Sequence, residues 1–86
     1  MLFLIASAPD TPEFKTAIQM AADARADICL LQNAVYAART SDNNMYVLDD
    51  DMKLRGINEH EISGRLIGYD RLVDLMTTAD KVVGLF

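Results

Sequence analysis

Three consecutive aspartates, Asp49, Asp50 and Asp51, directly follow the apolar residues 45–48. Clustered carboxylates at the end of a strand can hold Mg²⁺ and support phosphoryl transfer. The same residues also suit a helix N-terminus, where free backbone N–H groups and the positive end of the helix dipole favour negative side chains.

The phosphoryl-transfer interpretation needs more than this sequence offers. Phosphatases of the haloacid-dehalogenase type begin with a strand followed by Asp-x-Asp, and this resemblance would make Asp49 the nucleophile and Asp51 the general acid. They also use a downstream lysine and a further acidic pair, on a much longer chain. A phospho-receiver domain needs an acidic pair after its first strand, where only Asp10 stands. A helix start accounts for all three aspartates, and one of them can serve as the N-cap. We therefore predict a helix start and keep a Mg²⁺ or phosphoryl site at Asp49 and Asp51 as the alternative.

The chain has one cysteine, Cys29, and one histidine, His60. A cysteine that carries sulfur must be exposed as a thiolate, whereas Cys29 lies inside an apolar segment and is predicted to be buried and inert. His60 stands between Glu59 and Glu61, with no nucleophile nearby in sequence, as is typical of a solvated loop histidine. We therefore predict no catalytic residue, no cofactor and, apart from the alternative above, no metal.

Composition sets the class of protein. With 86 residues we expect a single domain, residues 1–86, and 51% hydrophobic residues are many for so small a chain, so another subunit is expected to cover part of the surface. A formal charge of -5 without a basic stripe argues against direct binding to nucleic acid or anionic membrane. A lone cysteine, no apolar run of about 20 residues and no basic leader suggest a cytoplasmic protein.

Apolar segments of strand length alternate with segments of helical periodicity. Because the strand segments are apolar throughout, they are expected to be buried on both faces, as in parallel sheets with right-handed crossovers. We predict a three-layer α/β/α fold with about five mainly parallel strands. The predicted strands are residues 2–6, 27–32, 45–48, 65–69 and 81–86.

Helix signals refine this outline. Thr11 is predicted to cap the first helix, with Pro12 at its first position, and Asp70 to cap the last helix. Gly56 stands where a C-cap glycine belongs. The predicted inward residues are Phe14, Ala17, Ile18, Ala21 and Ala22 in the first helix and Leu72, Val73, Met76 and Ala79 in the last.

A binding site, if the chain has one, should lie beyond the carboxyl ends of the strands, where ligands of open α/β sheets bind. That edge is predicted to gather residues 7–11, 32–33, 49–51 and 69–70.

Three sequence blocks carry a family resemblance: LLQNAVYAA (30–38), VLDDDMKLRGI (47–57) and IGYDRLVDLMTTADKVVGLF (67–86). Together, in this order and spacing, they resemble the DsrH/TusB family of small sulfur-relay subunits. In that family the second strand runs into a Leu-Leu-x-Asp/Asn-Gly-Val motif. The third strand runs into an acidic helix ending in Arg-Gly, and the last helix leads into a terminal strand. The resemblance covers essentially the whole chain and implies a helix start at the aspartates.

The resemblance implies partners. DsrH-like proteins assemble with DsrE-like and DsrF-like (TusD/TusC-like) paralogues, typically as a hexamer with two copies of each. In the TusBCD branch the complex relays persulfide sulfur toward 2-thiouridine at the tRNA wobble position, and related complexes handle cytoplasmic sulfur transfer in sulfur oxidisers. The persulfide-bearing cysteine belongs to the DsrE-like partner. The chain is thus expected to be a non-catalytic subunit of a sulfurtransferase complex.

Two positions depart from the family pattern. Some DsrH members carry a cysteine in the first helix, but Ile18 aligns there and Cys29 matches no sulfur-carrying position. Ala34 stands where the family usually has glycine, so either the turn after the second strand is ordinary or its backbone differs. A stand-alone homo-oligomeric interaction protein is the second functional hypothesis.

Overall fold

The computed structural model describes residues 1–39 and 45–85, so the predicted loop at 40–44 and Phe86 lie outside the described residues. Five parallel strands form one sheet in the order β4-β3-β2-β1-β5. The strands are β1 (Leu2–Ile5), β2 (Asp27–Leu30), β3 (Tyr46–Leu48), β4 (Arg65–Ile67) and β5 (Val82–Leu85). The predicted α/β fold with a mainly parallel five-stranded sheet is confirmed.

Helical segments connect the strands. The α-helices are α1 (Pro12–Asp23), α2 (Asp49–Leu54) and α3 (Tyr69–Thr78), and the 3₁₀ helices are Gln32–Arg39 and Glu59–Glu61. Strands β2 and β4 end two residues before the predicted bounds, because Gln32 already begins the first 3₁₀ helix and Tyr69 already begins α3.

Different numbers of helices pack on the two faces of the sheet. On the α1 face, strand residues such as Ile5, Leu30 and Val47 pack with α1, α2 and the 3₁₀ helix Gln32–Arg39. On the α3 face, strand residues such as Leu4 and Leu48 pack with α3. The strand order explains this division. The chain moves in one direction across the sheet from β1 to β4 and then returns to β5 on the far side of β1. Because the crossovers are right-handed, helix α3, which makes the return, lies on the opposite face from the other helices.

Helix α1 begins as predicted. Thr11 is the N-cap, its hydroxyl accepts a hydrogen bond from the Phe14 N–H at 3.2 Å, and Pro12 follows at the first position. Ala17 and Ala21 are buried, but Ala22 is exposed, so its prediction as an inward residue was wrong. A step of one residue turns the helix by about 100°, which carries Ala22 past the inward row.

Replacing Thr11 with alanine is expected to destabilise the protein by about 1 kcal/mol, because it leaves the Phe14 N–H in the first turn without its acceptor. Urea unfolding followed by circular dichroism measures the change. Thr16→Ala is the control, since Thr16 is exposed within α1 and is not its cap. Equal losses in the two variants would show that the capping hydrogen bond contributes nothing specific.

Helix α3 differs from prediction in its start and in its rotation. The N-cap is Gly68, not Asp70, and the inward residues are Leu72, Leu75 and Ala79. The exposed fractions of Val73 and Met76 are 55% and 40%, so the prediction that they face the core was wrong. They form, with the exposed Tyr69, an apolar row at spacings of four and three residues, which we call the α3 shoulder.

Candidate functional site

The aspartate run lies where β3 passes directly into α2. Asp49, Asp50 and Asp51 form the first turn of the helix, as predicted. None of them is the N-cap, since Leu48 holds that position and makes no side-chain capping bond. The expectation that an aspartate caps this helix is therefore corrected: all three lie inside the helix, where its positive dipole end stabilises their charge.

The three carboxylates have different surroundings. Asp49 pairs with Lys53 one turn later at 3.0 Å, which raises the pKa of that lysine, and Asp50 is exposed. Asp51 is only 8% exposed, and its Oδ2 accepts the backbone N–H of Gln32 at 2.6 Å. Within residues 1–39 and 45–85 no three metal-ligand side chains of the His, Cys, Asp or Glu type gather. In this part of the chain, no third His, Cys, Asp or Glu side chain joins Asp49 and Asp51 to complete a Mg²⁺ site.

The Asp51 carboxylate holds the turn that follows β2. Gln32 begins that turn with φ of 48°, in the left-handed region that non-glycine residues rarely adopt. A charged acceptor on its N–H offsets part of that cost, because hydrogen bonds to ionised groups are the stronger ones. Ala34 is buried in the 3₁₀ helix and does not have a positive φ, so this backbone does not require glycine at position 34.

Arg55 completes the connection between the ends of β2 and β3. Its Nε donates to Asn33 Oδ1 at 3.2 Å and its Nη1 to the backbone oxygen of Asp51 at 3.0 Å. Gln32, Asn33, Asp51 and Arg55 thus form one set of contacts, which we call the edge network. It joins two of the segments predicted to meet at the carboxyl edge. Sequence reasoning missed Arg55, although its spacing of four from Asp51 places both on one helical face.

Cys29 lies on the α3 face of β2 and is 0% exposed. Burial, with a smaller contribution from the negative charge of Asp51, raises the pKa of its thiol to about 12. At neutral pH the group is therefore a protonated thiol without access to solvent, and the thiolate is the form that reacts.

His60 is exposed in the 3₁₀ helix Glu59–Glu61. The local polar contacts there belong to its neighbours: Glu61 forms a capping box with Asn58 and an ion pair with Arg39 at 3.1 Å. The structure thus places His60 on a surface connector and Cys29 in the sheet interior, so they do not form a nucleophile–base pair.

The family model described as DsrH like protein matches residues 6–82. The chain belongs to the DsrH-like family. Membership supports, in general terms, a sulfur-relay subunit of a DsrE/F/H-type assembly.

A solved structure agrees with this family fold. The solution NMR structure of protein Tm0979 from Thermotoga maritima matches with a TM-score of 0.72 and 29% sequence identity, over 94% of this chain and 97% of that one. A search of the curated proteins finds no match. Among the described residues, no helix has the length and apolar character needed to cross a membrane.

Proposed function

We propose that this single-domain chain is a cytoplasmic subunit of a DsrE/F/H (TusBCD)-type sulfurtransferase complex and acts by assembly, without carrying sulfur itself. Family membership supports the general role. The observation that supports a subunit without a sulfur-carrying residue is the state of Cys29, the only cysteine of the chain. Its side chain is 0% exposed and the pKa of its thiol is raised to about 12.

The chemistry of sulfur relay explains why this observation supports the proposal. An acceptor thiolate attacks the outer sulfur of a donor persulfide, a new S–S bond forms as the donor S–S bond breaks, and the donor leaves as a thiolate. The acceptor sulfur must therefore be ionised and reachable. Cys29 is neither, so the carrier cysteine belongs to a DsrE-like partner, and the chain contributes surface and stability to the complex.

The end point we propose for the relay is thiolation of the tRNA wobble uridine. The formal charge of -5 fits a subunit that leaves tRNA contact to other proteins, because binding to the phosphate backbone relies on Lys and Arg.

Replacing Cys29 with alanine is expected to leave both assembly and sulfur transfer unchanged. The chain is co-expressed with its DsrE-like and DsrF-like partners, the complex is weighed intact by mass spectrometry, and transfer of labelled persulfide sulfur to the acceptor is followed. Removing the carrier cysteine of the DsrE-like partner is the matched control and should abolish transfer. Loss of transfer in an intact Cys29→Ala complex would overturn the non-carrier role, and failure to recover any partner would overturn the subunit assignment.

A further inference from the structure

Strand β5 is an edge strand without the usual protection. Natural sheets guard their edges with charged residues, proline, bulges or covering elements. Val82, Val83, Gly84 and Leu85 include no charge and no proline, and their register with β1 is uninterrupted. The nearest charged residue is Lys81, which directly precedes the strand and leaves its four residues apolar. The opposite edge strand, β4, carries Arg65. The β5 edge is therefore the one suited to pair with another strand.

Hydrogen bonds within the sheet show which β5 groups face outward. The carbonyl oxygen of Lys81 accepts from Leu2 N of β1 at 2.8 Å, and that of Leu85 accepts from Ala6 N, directly after β1, at 3.0 Å. The N–H and C=O of one strand residue point to the same side, and successive residues alternate. Val82 and Gly84 therefore direct their N–H and C=O groups toward the free edge.

Both faces of β5 are also incompletely covered. Register with Leu2 places the Val82 side chain on the α3 face, where it is 36% exposed next to an exposed Gly84. The same face carries the exposed α3 shoulder. On the α1 face, a groove of about 350 Å³ is lined by Leu85, by Met20, which is 46% exposed, and by polar residues that include Glu13 and Thr16. Exposed apolar side chains thus lie on either side of the edge.

We propose that β5 pairs antiparallel with β5 of a second copy of this chain, about a twofold axis at Val83. The edge is self-complementary in this register: Val82 lies opposite Gly84 of the copy, and each such pair exchanges both of its hydrogen bonds. All outward N–H and C=O groups of Val82 and Gly84 are then used, with none left over. Side chains opposite each other in a sheet lie on the same face. Val82 lies on the α3 face and Leu85 on the α1 face, so a register that pairs these two residues is excluded. A twofold contact is also closed, so the edge is removed without growth into fibres.

This register makes a sharp cross-linking prediction. Val83 faces its own copy in a non-hydrogen-bonded pair, with Cα atoms about 4.5 Å apart, within disulfide range. Val83→Cys is expected to form a disulfide-linked dimer on mild oxidation. Val82→Cys is the matched control, since position 82 lies diagonally from its own copy, beyond the roughly 7 Å that a disulfide spans. Val82 is 36% exposed, so random collision would favour the control. Equal cross-linking of both variants, or of neither, would overturn the register.

Solution mass tests the dimer itself. By light scattering across a concentration series, the native chain is expected to reach twice its 9.5 kDa. Val82→Lys places a charge at the edge and should remain monomeric, with an unchanged circular dichroism spectrum. A native chain that stays monomeric, or a dimer that survives Val82→Lys, would overturn the pairing. This result is separate from the proposed function, because recovery of DsrE-like and DsrF-like partners with Val82→Lys would leave that function standing without the β5 dimer.

Discussion

Cys29 in the folded protein is expected to react with iodoacetamide roughly 10³-fold or more slowly than in the urea-unfolded chain. The side chain is 0% exposed, so reaction must wait for an opening of the structure. A chain of this size has a free energy of unfolding of about 4–13 kcal/mol, and each 1.4 kcal/mol lowers the open population tenfold. A time course of alkylation by mass spectrometry measures the ratio.

A Thr77→Cys variant supplies an internal control for that experiment, because its added thiol lies at an exposed position of α3 and should be modified at once. Fast modification of Cys29 in the folded chain would contradict its burial. It would also remove the main support for a subunit that carries no sulfur, since exposure is what a carrier thiol requires.

The raised pKa of Cys29 also predicts a pH dependence of stability. The folded thiol has a pKa of about 12, against an ordinary value of 9.0 in the unfolded chain. Between these values the unfolded chain loses its proton and the folded chain keeps it, so stability is complete below about pH 9 and falls as the pH rises toward 12. Between about pH 9 and 11 the expected loss is up to about 3 kcal/mol. Urea unfolding of the Cys29→Ala variant should lack this component, and the same slope in both proteins would contradict the assignment.

The architecture could be predicted from sequence because its central strands β1, β2 and β3 are apolar apart from Asp27 at the start of β2. Segments such as Leu2–Ile5 and Asp27–Leu30 can satisfy that composition only between two layers, which implies parallel pairing and helical crossovers. Their order in the sheet was outside the reach of the pattern. The position of β5 beside β1 depends on long-range packing, and no local feature of Val82–Leu85 encodes it.

The rotation of α3 shows where periodicity becomes ambiguous. Leu72 and Ala79 belong to two overlapping apolar rows, one completed by Val73 and Met76, the other by Leu75. Both rows fit a helical period, so the pattern alone does not choose between them. The sheet chooses the second, and it leaves the first as an exposed shoulder beside β5. An apparent surplus of apolar residues in the sequence thus becomes a specific surface in the fold.

The candidate site was predictable in place but not in detail. Three aspartates after an apolar strand indicate a helix start, because the dipole acts on all of them alike. Which one turns inward depends on the neighbouring strand: only Asp51 meets the Gln32 N–H beyond the end of β2. The contact joins residues 19 positions apart, and no short-range rule connects them.

Replacing Asp51 with alanine is expected to destabilise the protein by about 2–3 kcal/mol, because it leaves the Gln32 N–H without its charged acceptor. For a domain of this size that corresponds to a fall in Tm of roughly 10–20 °C. Asp50→Ala is the matched control: it removes the same charge from the same helix turn, at an exposed position, and should change stability by about 0.5 kcal/mol or less. Asp51→Asn keeps a neutral acceptor and should fall between the two.

The same series decides between the two interpretations of the aspartates. If Asp51 serves the turn after β2, its replacement costs the same stability with Mg²⁺ present as with a chelator, because the lost partner is a backbone N–H. If the carboxylates hold a cation, Mg²⁺ should raise the Tm of the native protein, and Asp49→Asn should abolish that rise. Asp49 already pairs with Lys53, and Asp51 already accepts the Gln32 N–H. We therefore expect Mg²⁺ to leave the Tm of both the native protein and the Asp49→Asn variant unchanged. Equal losses of stability in Asp50→Ala and Asp51→Ala would instead show that the aspartates act only through the helix dipole, and that the hydrogen bond from Gln32 contributes nothing specific.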